Sequence, residues 1–201
     1  MIKALTYPIA LSAVTSDYIG SVVTTDGNVY ATATDAATAS KTPAAVIAYV
    51  GSDNGEAAPY NHGLALALSD ANGGSICKWS TSPGSTVHSY NATSSSFASE
   101  SGLQYNATQN SDTYPAFKAA IANNGTAAPT GCSSWFLASG YQWQKMIDAA
   151  GLSNLGLQEY AYYWSSTESY AYYSRRFYSF NGSWSNNSKD DGCQVRACLA
   201  F

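Results

Sequence analysis

Charged residues are scarce: Asp, Glu, Lys and Arg make up 11% of the 201 residues, against roughly a quarter in an average soluble protein. The surface must therefore be covered by Ser, Thr, Asn, Gly and Tyr. Basic residues are fewest. Nine Lys and Arg, with no run longer than the pair Arg175-Arg176, cannot track a phosphate backbone, so nucleic acid is not expected as a partner. Histidine occurs twice, at His62 and His88, and the four cysteines, Cys77, Cys132, Cys193 and Cys198, contain no Cys-x-x-Cys. Those spacings disfavour a zinc site, and neither histidine accompanies a nucleophile elbow of the hydrolase kind. Four cysteines are also too few for a disulfide-dense scaffold; they read as buried or incidental thiols, with pairing open to them only in an oxidising compartment. No apolar run of about 20 residues exists, so no membrane insertion is expected. The apolar stretch 4–14 after Lys3 is broken by Tyr7-Pro8 and Ser12 and soon continued by strand-like residues, which assigns it to the domain and not to a secretory signal.

What is abundant is aromatic and apolar. Aromatic residues are 13% and hydrophobic residues 45% of the chain, with a net charge of −4, the reverse of a disordered composition. The length suits one domain, 1–201. Residues 19–23 and 29–33 are β-prone and flank Asp26-Gly27, a hairpin signal. Residues 34–41 are Ala-rich and suit a short helix; 44–51 and 62–69 are apolar strand candidates. From 80 to 110 the chain is dominated by Ser, Thr, Asn and Gly and reads as long surface loops, with a helical turn within 99–110. Two clearer helices follow. Residues 114–122 carry Phe117 and Ile121 four apart and stop at Asn123-Asn124-Gly125. Residues 141–150, capped by Ser139 and ended by Gly151, place Trp143, Met146, Ile147 and Ala150 on one face. Trp135-Phe136-Leu137 reads as a buried strand between them. From Tyr160 onward the pattern is β-like, with an Asn181-Gly182 turn, and 194–201 form a last strand. The sum is an α+β chain with two helices, small antiparallel sheets and long irregular loops.

Several of these segments resemble one family. Trp135-Phe136-Leu137-Ala138-Ser139-Gly140-Tyr141-Gln142-Trp143, Tyr163-Trp164-Ser165-Ser166-Thr167-Glu168, Gly182-Ser183-Trp184 and Val195-Arg196-Ala197-Cys198-Leu199-Ala200-Phe201 are similar to the variable proteins of diversity-generating retroelements. Asp26-Gly27-Asn28-Val29-Tyr30 and Ile47-Ala48-Tyr49-Val50-Gly51 extend the likeness to the front half. The resemblance implies a C-type-lectin-like fold, found in gut bacteria and their phages and related to formylglycine-generating enzymes. It implies a fixed scaffold (Trp164, 165–168, Gly182, Trp184, Val195, Arg196, Leu199, Phe201), with Cys198 where relatives carry an aliphatic residue. Within a variable region of about 160–201 it implies ligand contacts at Ser169, Tyr170, Tyr172, Tyr173, Ser174, Arg175, Arg176, Tyr178, Ser179, Ser183, Ser185, Asn187, Asp190, Asp191 and Cys193. Such proteins vary by adenine-directed mutagenesis of Asn codons, which cannot yield Trp, Lys, Met, Gln or Glu. Between Ser169 and Cys193 only Trp184 and Lys189 lie outside the reachable set.

The chemistry of that stretch suits a binding surface. Tyr offers large amphipathic area with few rotors, Ser adaptable hydrogen bonds, and Arg175 and Arg176 charged anchors. Strand alternation puts Tyr170, Tyr172, Ser174, Arg176 and Tyr178 on one face and Tyr173, Arg175, Phe177 and Ser179 on the other. Trp143, Trp164 and Trp184 are expected in the core. Residues 186–191 lack the spaced carboxylates of a calcium cage and read as a solvated loop, so no metal and no cofactor are expected. The expected function is non-enzymatic display: binding of a protein or cell-surface ligand at a bacterial cell surface or phage virion surface. One alternative is a structural surface or pilus-associated domain that assembles through the same segment. A remote one is a formylglycine-generating-type enzyme using Cys193 and Cys198.

Overall fold

The computed structural model describes residues 6–84, 86–87 and 97–201. Part of the 80–110 stretch, including His88, and the start of the 4–14 stretch lie outside them. Along the described chain run β1 (Ile9–Ala10), β2 (Val22–Thr24), β3 (Asn28–Tyr30), α1 (Ala33–Thr38), β4 (Pro43–Val50), β5 (Gly63–Ala67) and β6 (Cys77–Lys78). Then come α2 (Asn106–Gln109), α3 (Pro115–Ala122), β7 (Phe136–Leu137), α4 (Gly140–Ala150), β8 (Tyr162–Tyr170), β9 (Tyr173–Tyr178), β10 (Trp184–Ser188), β11 (Gly192–Cys193) and β12 (Ala197–Ala200). The α+β composition is as expected. Instead of two helices there are four among the described residues, because the Ala-rich segment and the turn inside the long loop both close helical hydrogen bonds.

One antiparallel sheet of seven strands, in the order β1-β3-β2-β4-β5-β12-β7, organises the molecule. Its first hairpin turns at Gly27, whose φ of 83° is the left-handed conformation that Gly tolerates. The C-terminal strand β12 sits inside the sheet between β5 and β7. Alternation divides it into two faces. Leu64 and Leu66 of β5 and Cys198 and Ala200 of β12 point to the side covered by α4. Ala65 and Ala67 with Ala197 and Leu199 point to the other side. There the small alanines leave room for Trp79, Phe117, Trp135 and Trp164, all buried, so large rings and small strand residues fill one volume. Phe117 is buried as expected, but its helix buries Ala116 and Ala120 beside it in place of Ile121.

Helix α4 starts where the Ser139 hydroxyl accepts from the Gln142 backbone N–H (3.2 Å) and the Gln142 side chain accepts from Ser139 N–H (3.0 Å). This reciprocal cap satisfies two otherwise unpaired donors. Trp143 and Met146 are its buried residues among those expected, with Ile147 and Ala150 at the margin. Over α4 lies a second, three-stranded antiparallel sheet, β10-β9-β8, and a two-stranded ladder, β11-β6, sits beside it.

Candidate functional site

The three-stranded sheet has an inner and an outer face. On the inner face Tyr163 and Phe177, opposite one another in register, stack at 5.6 Å, and Phe177 packs on Trp143 at 4.7 Å. Trp184 closes this cluster and donates its indole N–H to Gln144 Oε1 (2.9 Å), tying β10 to α4.

The segment 165–168, expected as fixed scaffold, is fully buried. The Ser165 hydroxyl donates to Arg175 O (3.0 Å). The Thr167 hydroxyl accepts from Gly140 N–H (2.9 Å) and donates to Glu100 (2.7 Å). Glu168 accepts from Val87 N–H (3.0 Å) and is ion-paired with Lys189, both side chains being at most 1% exposed. The Lys189 ammonium also lies 4.8 Å from the Trp79 ring centroid. A second buried pair, Arg196 to Asp70 (2.6 Å), is joined by the Tyr163 hydroxyl (2.9 Å). Arg196 also donates to the carbonyls of Ala67 and Gly156 (2.9 Å each). Ion pairs taken out of water hold only when further hydrogen bonds of this kind complete them.

The outer face is different. Tyr160 and Phe180 stack at 5.0 Å, Phe180 meets Tyr178 at 6.2 Å, Tyr178 stacks on Tyr162 at 4.8 Å, and the Arg176 guanidinium lies 3.8 Å over the Tyr162 ring. Tyr160 and Phe180 are 60% and 57% exposed, so this ridge of stacked rings, ended by a cation, faces solvent. Arg176 is held beneath by Ser185 Oγ (3.3 Å) and Cys193 Sγ (3.8 Å). At the far end of the sheet Tyr170, Tyr172 and Tyr173 crown the β8–β9 hairpin, Tyr170 at 66% exposure. Tyr172 O accepts from Lys189 N–H (3.0 Å), which sets the turn carrying the exposed Asp190 beside that crown. Asp191 and Ser183 are also exposed, while Tyr178, Ser185 and Asn187 are half-buried.

The expected surface needs four corrections. Ser169, Ser174, Arg175 and Cys193 are buried. Ser174 and Arg175 lie on the central strand of the small sheet, paired with Asn187 and Asn186 on one side, with Ser174 opposite Glu168 on the other. Cys193 is covered by Arg176, and Ser169 precedes the hairpin at the closed end of β8. Ser179 is half-buried and engaged by backbone, donating to Gln158 O (2.6 Å) and accepting from Ala161 N–H (2.9 Å). The expected face also shifts: the hairpin reverses at Ala171 and Tyr172, so Tyr170 stands opposite Tyr173 and does not share the Ser174 face. Residues 186–191 are no open loop, since Asn186 to Ser188 belong to β10 and Lys189 is buried. The ridge residues Tyr160, Tyr162 and Phe180 were absent from the expected set. Their spacing two apart, 160 with 162 and 178 with 180, was the available signal.

This chain shares its fold with a fimbrial protein. The match is to the crystal structure of a fimbrial protein from Bacteroides ovatus, with a TM-score of 0.58 and 16% identity over 91% of this chain and 48% of that one. The chain thus spans about half the length of that protein. No protein-family model matches it, and no curated protein is a significant match.

The remaining chemistry-bearing groups have structural surroundings. His62 Nε2 is bonded to Val14 O (2.8 Å), and its ring meets Phe201 edge-on. Cys193 and Cys198 lie in the cores on opposite faces of the large sheet, and burial holds the Cys198 thiol well above its usual range. Among the described residues no group of three or more His, Cys, Asp and Glu could hold a metal, and no helix is long and apolar enough to cross a membrane.

Proposed function

We propose that this chain is a non-enzymatic domain of a bacterial surface or fimbria-like assembly that engages a protein partner through the outer face of its C-terminal sheet. The observation that carries this reading is the solvent-facing ridge of Tyr160, Phe180, Tyr178 and Tyr162 ended by Arg176. Large exposed aromatic patches mark association surfaces, and Tyr and Arg are enriched among the residues that dominate interface energy. The shared fold with a fimbrial protein supports a place in such an assembly. The test is sedimentation velocity of the full chain over a wide concentration range, beside a Tyr162→Ser, Tyr178→Ser, Phe180→Ser variant. Self-association weakened at least about tenfold in the variant is expected. A wild-type chain that stays monomeric at every concentration overturns assembly through this face.

A second reading, display of a diversified surface on a lectin-like scaffold toward a protein or cell-surface ligand, has its own support. Within 169–193 the two residues that adenine changes in Asn codons cannot produce, Trp184 and Lys189, are anchored inward, one to α4 and one on Glu168. The outward Tyr170, Tyr172 and Tyr173 are all reachable. The coding DNA decides: a nearby repeat differing from this segment only at adenines supports diversification, and a genome without one removes it.

A further inference from the structure

Cys77 and Cys193 stand directly opposite one another in the antiparallel ladder of β6 and β11. Facing residues of such a ladder carry their side chains on the same side, with Cα atoms about 4.5 or about 5.5 Å apart according to the pair type. Both spacings fall inside the window of roughly 4.4–6.8 Å that a disulfide spans. The other two cysteines have no such counterpart: Cys198 faces Leu66 and Phe136, and Cys132 is half-buried on the loop before β7.

We propose that Cys77 and Cys193 close a disulfide when the chain meets an oxidising compartment, stapling β6 to the strand that runs beneath Arg176. The surroundings define an order of events. Cys77 is half-buried and lines an open groove of about 560 Å³ with Asn72, Pro115 and Lys118, whereas Cys193 is 1% exposed. Cys77 is therefore the entry thiol. Its thiolate attacks a small disulfide donor, RSSR, and one RS⁻ leaves. The Cys193 thiolate then attacks the Cys77 sulfur of the mixed disulfide and displaces the second RS⁻. The two protein thiols lose two electrons and two protons, and the donor departs as two RSH. Burial pushes the Cys77 thiol up to about 11 and raises Cys193 as well, so exchange on the folded chain is slow near neutrality and accelerates in mild alkali. More than half of the chain lies between the two residues, so the staple constrains a long segment of the unfolded chain. Cys193 Sγ also accepts from Arg176 and Asn187, which places the staple under the cationic end of the aromatic ridge.

The experiment uses the full chain, purified reduced, then exposed to glutathione disulfide at mildly alkaline pH, beside a batch exported to a periplasm. Peptide mapping without reductant is expected to show one cross-linked species, Cys77 to Cys193, lighter by two hydrogens than the separate peptides. Thiol titration in denaturant is expected to fall from the four free cysteines to two. The melting midpoint of the oxidised chain is expected to drop on reduction, in a Cys132→Ser variant as in the wild type, and to be indifferent to reductant in Cys77→Ser. Four free thiols after both treatments, a stable glutathione adduct on Cys77, or a cross-link to Cys132, Cys198 or a second chain each overturn the proposal. None of these readouts involves the partner-binding face, so that reading stands or falls separately.

Discussion

The two faces of the small C-terminal sheet are built from the same strands and behave as different materials. Tyr163 and Phe177 on the inner face meet Trp143 of α4 across the interface, and the neighbouring Glu168 and Lys189 meet each other inside the fold. Each inner group is held by partners on another element. On the outer face Tyr160, Phe180, Tyr178 and Tyr162 follow one another ring against ring, with Arg176 at the end. An inner side chain changed alone leaves a partner stranded in a low-dielectric interior. An outer one changed alone leaves its neighbours in water, where they have other ways to be solvated. Tolerance to substitution thus follows from which side of a strand a residue occupies, and adjacent residues can differ wholly in it.

The largest test of that contrast is Lys189→Met. It retains volume and removes the charge that faces the buried Glu168 carboxylate. A loss of about 3–5 kcal/mol in chemical denaturation is expected. A loss below about 1 kcal/mol, the scale of an exposed pair, would place the pair on the surface side of the comparison. Next comes Phe177→Ala, which opens a cavity between Tyr163, Trp143 and Trp184. About 3–5 kcal/mol is expected, whereas Tyr178→Ala, one residue along the same strand, removes one stacked partner at a cost of about 0.5–1.5 kcal/mol. Equal losses for this neighbouring pair of variants would abolish the distinction between the faces.

Ser139→Ala is intermediate. It removes a cap that accepts from Gln142 N–H and donates to Glu100 O (2.6 Å), and a destabilisation of about 0.5–2 kcal/mol is expected from thermal or urea unfolding. This cap was legible in the sequence, as were the first hairpin, α3, α4 and the burial of Trp143 and Trp164. Each rests on local physics: a side chain bonding its own backbone, a positive φ at Gly27, a period of 3.6. The small sheet was legible in type and not in topology. Nothing local says that Ala171 and Tyr172 form a turn, because that stretch lacks the Asn-Gly or Asp-Gly of a tight hairpin, so a continuous strand assigned Tyr170 to the wrong face. Lys189 was unreadable for a similar reason. A lysine between Ser188 and Asp190 looks solvated until a glutamate 21 positions earlier in the chain is brought beneath it. The serines Ser169 and Ser174 are polar residues that fit either side of a strand, and only the packing around the three strands decides that they are buried.

The smallest expected change in stability is at the hairpin crown. Tyr170, Tyr172 and Tyr173 are each at least 46% exposed, and replacing all three by Ser is expected to shift unfolding by only about 0.5 kcal/mol per position or less. The Tyr172 ring lies against Gly84, where an added Cβ would meet it at 3.0 Å, and its truncation gives up that contact. Partner binding is the opposite case. If the crown and the ridge form one interface, the triple variant keeps its melting midpoint and loses at least about tenfold in affinity. If the ridge acts alone, the crown variant binds as the wild type does while Tyr162→Ser with Tyr178→Ser does not. A triple variant that fails to fold would mean that the exposed rings are structural after all, and that the outer face belongs with the inner one.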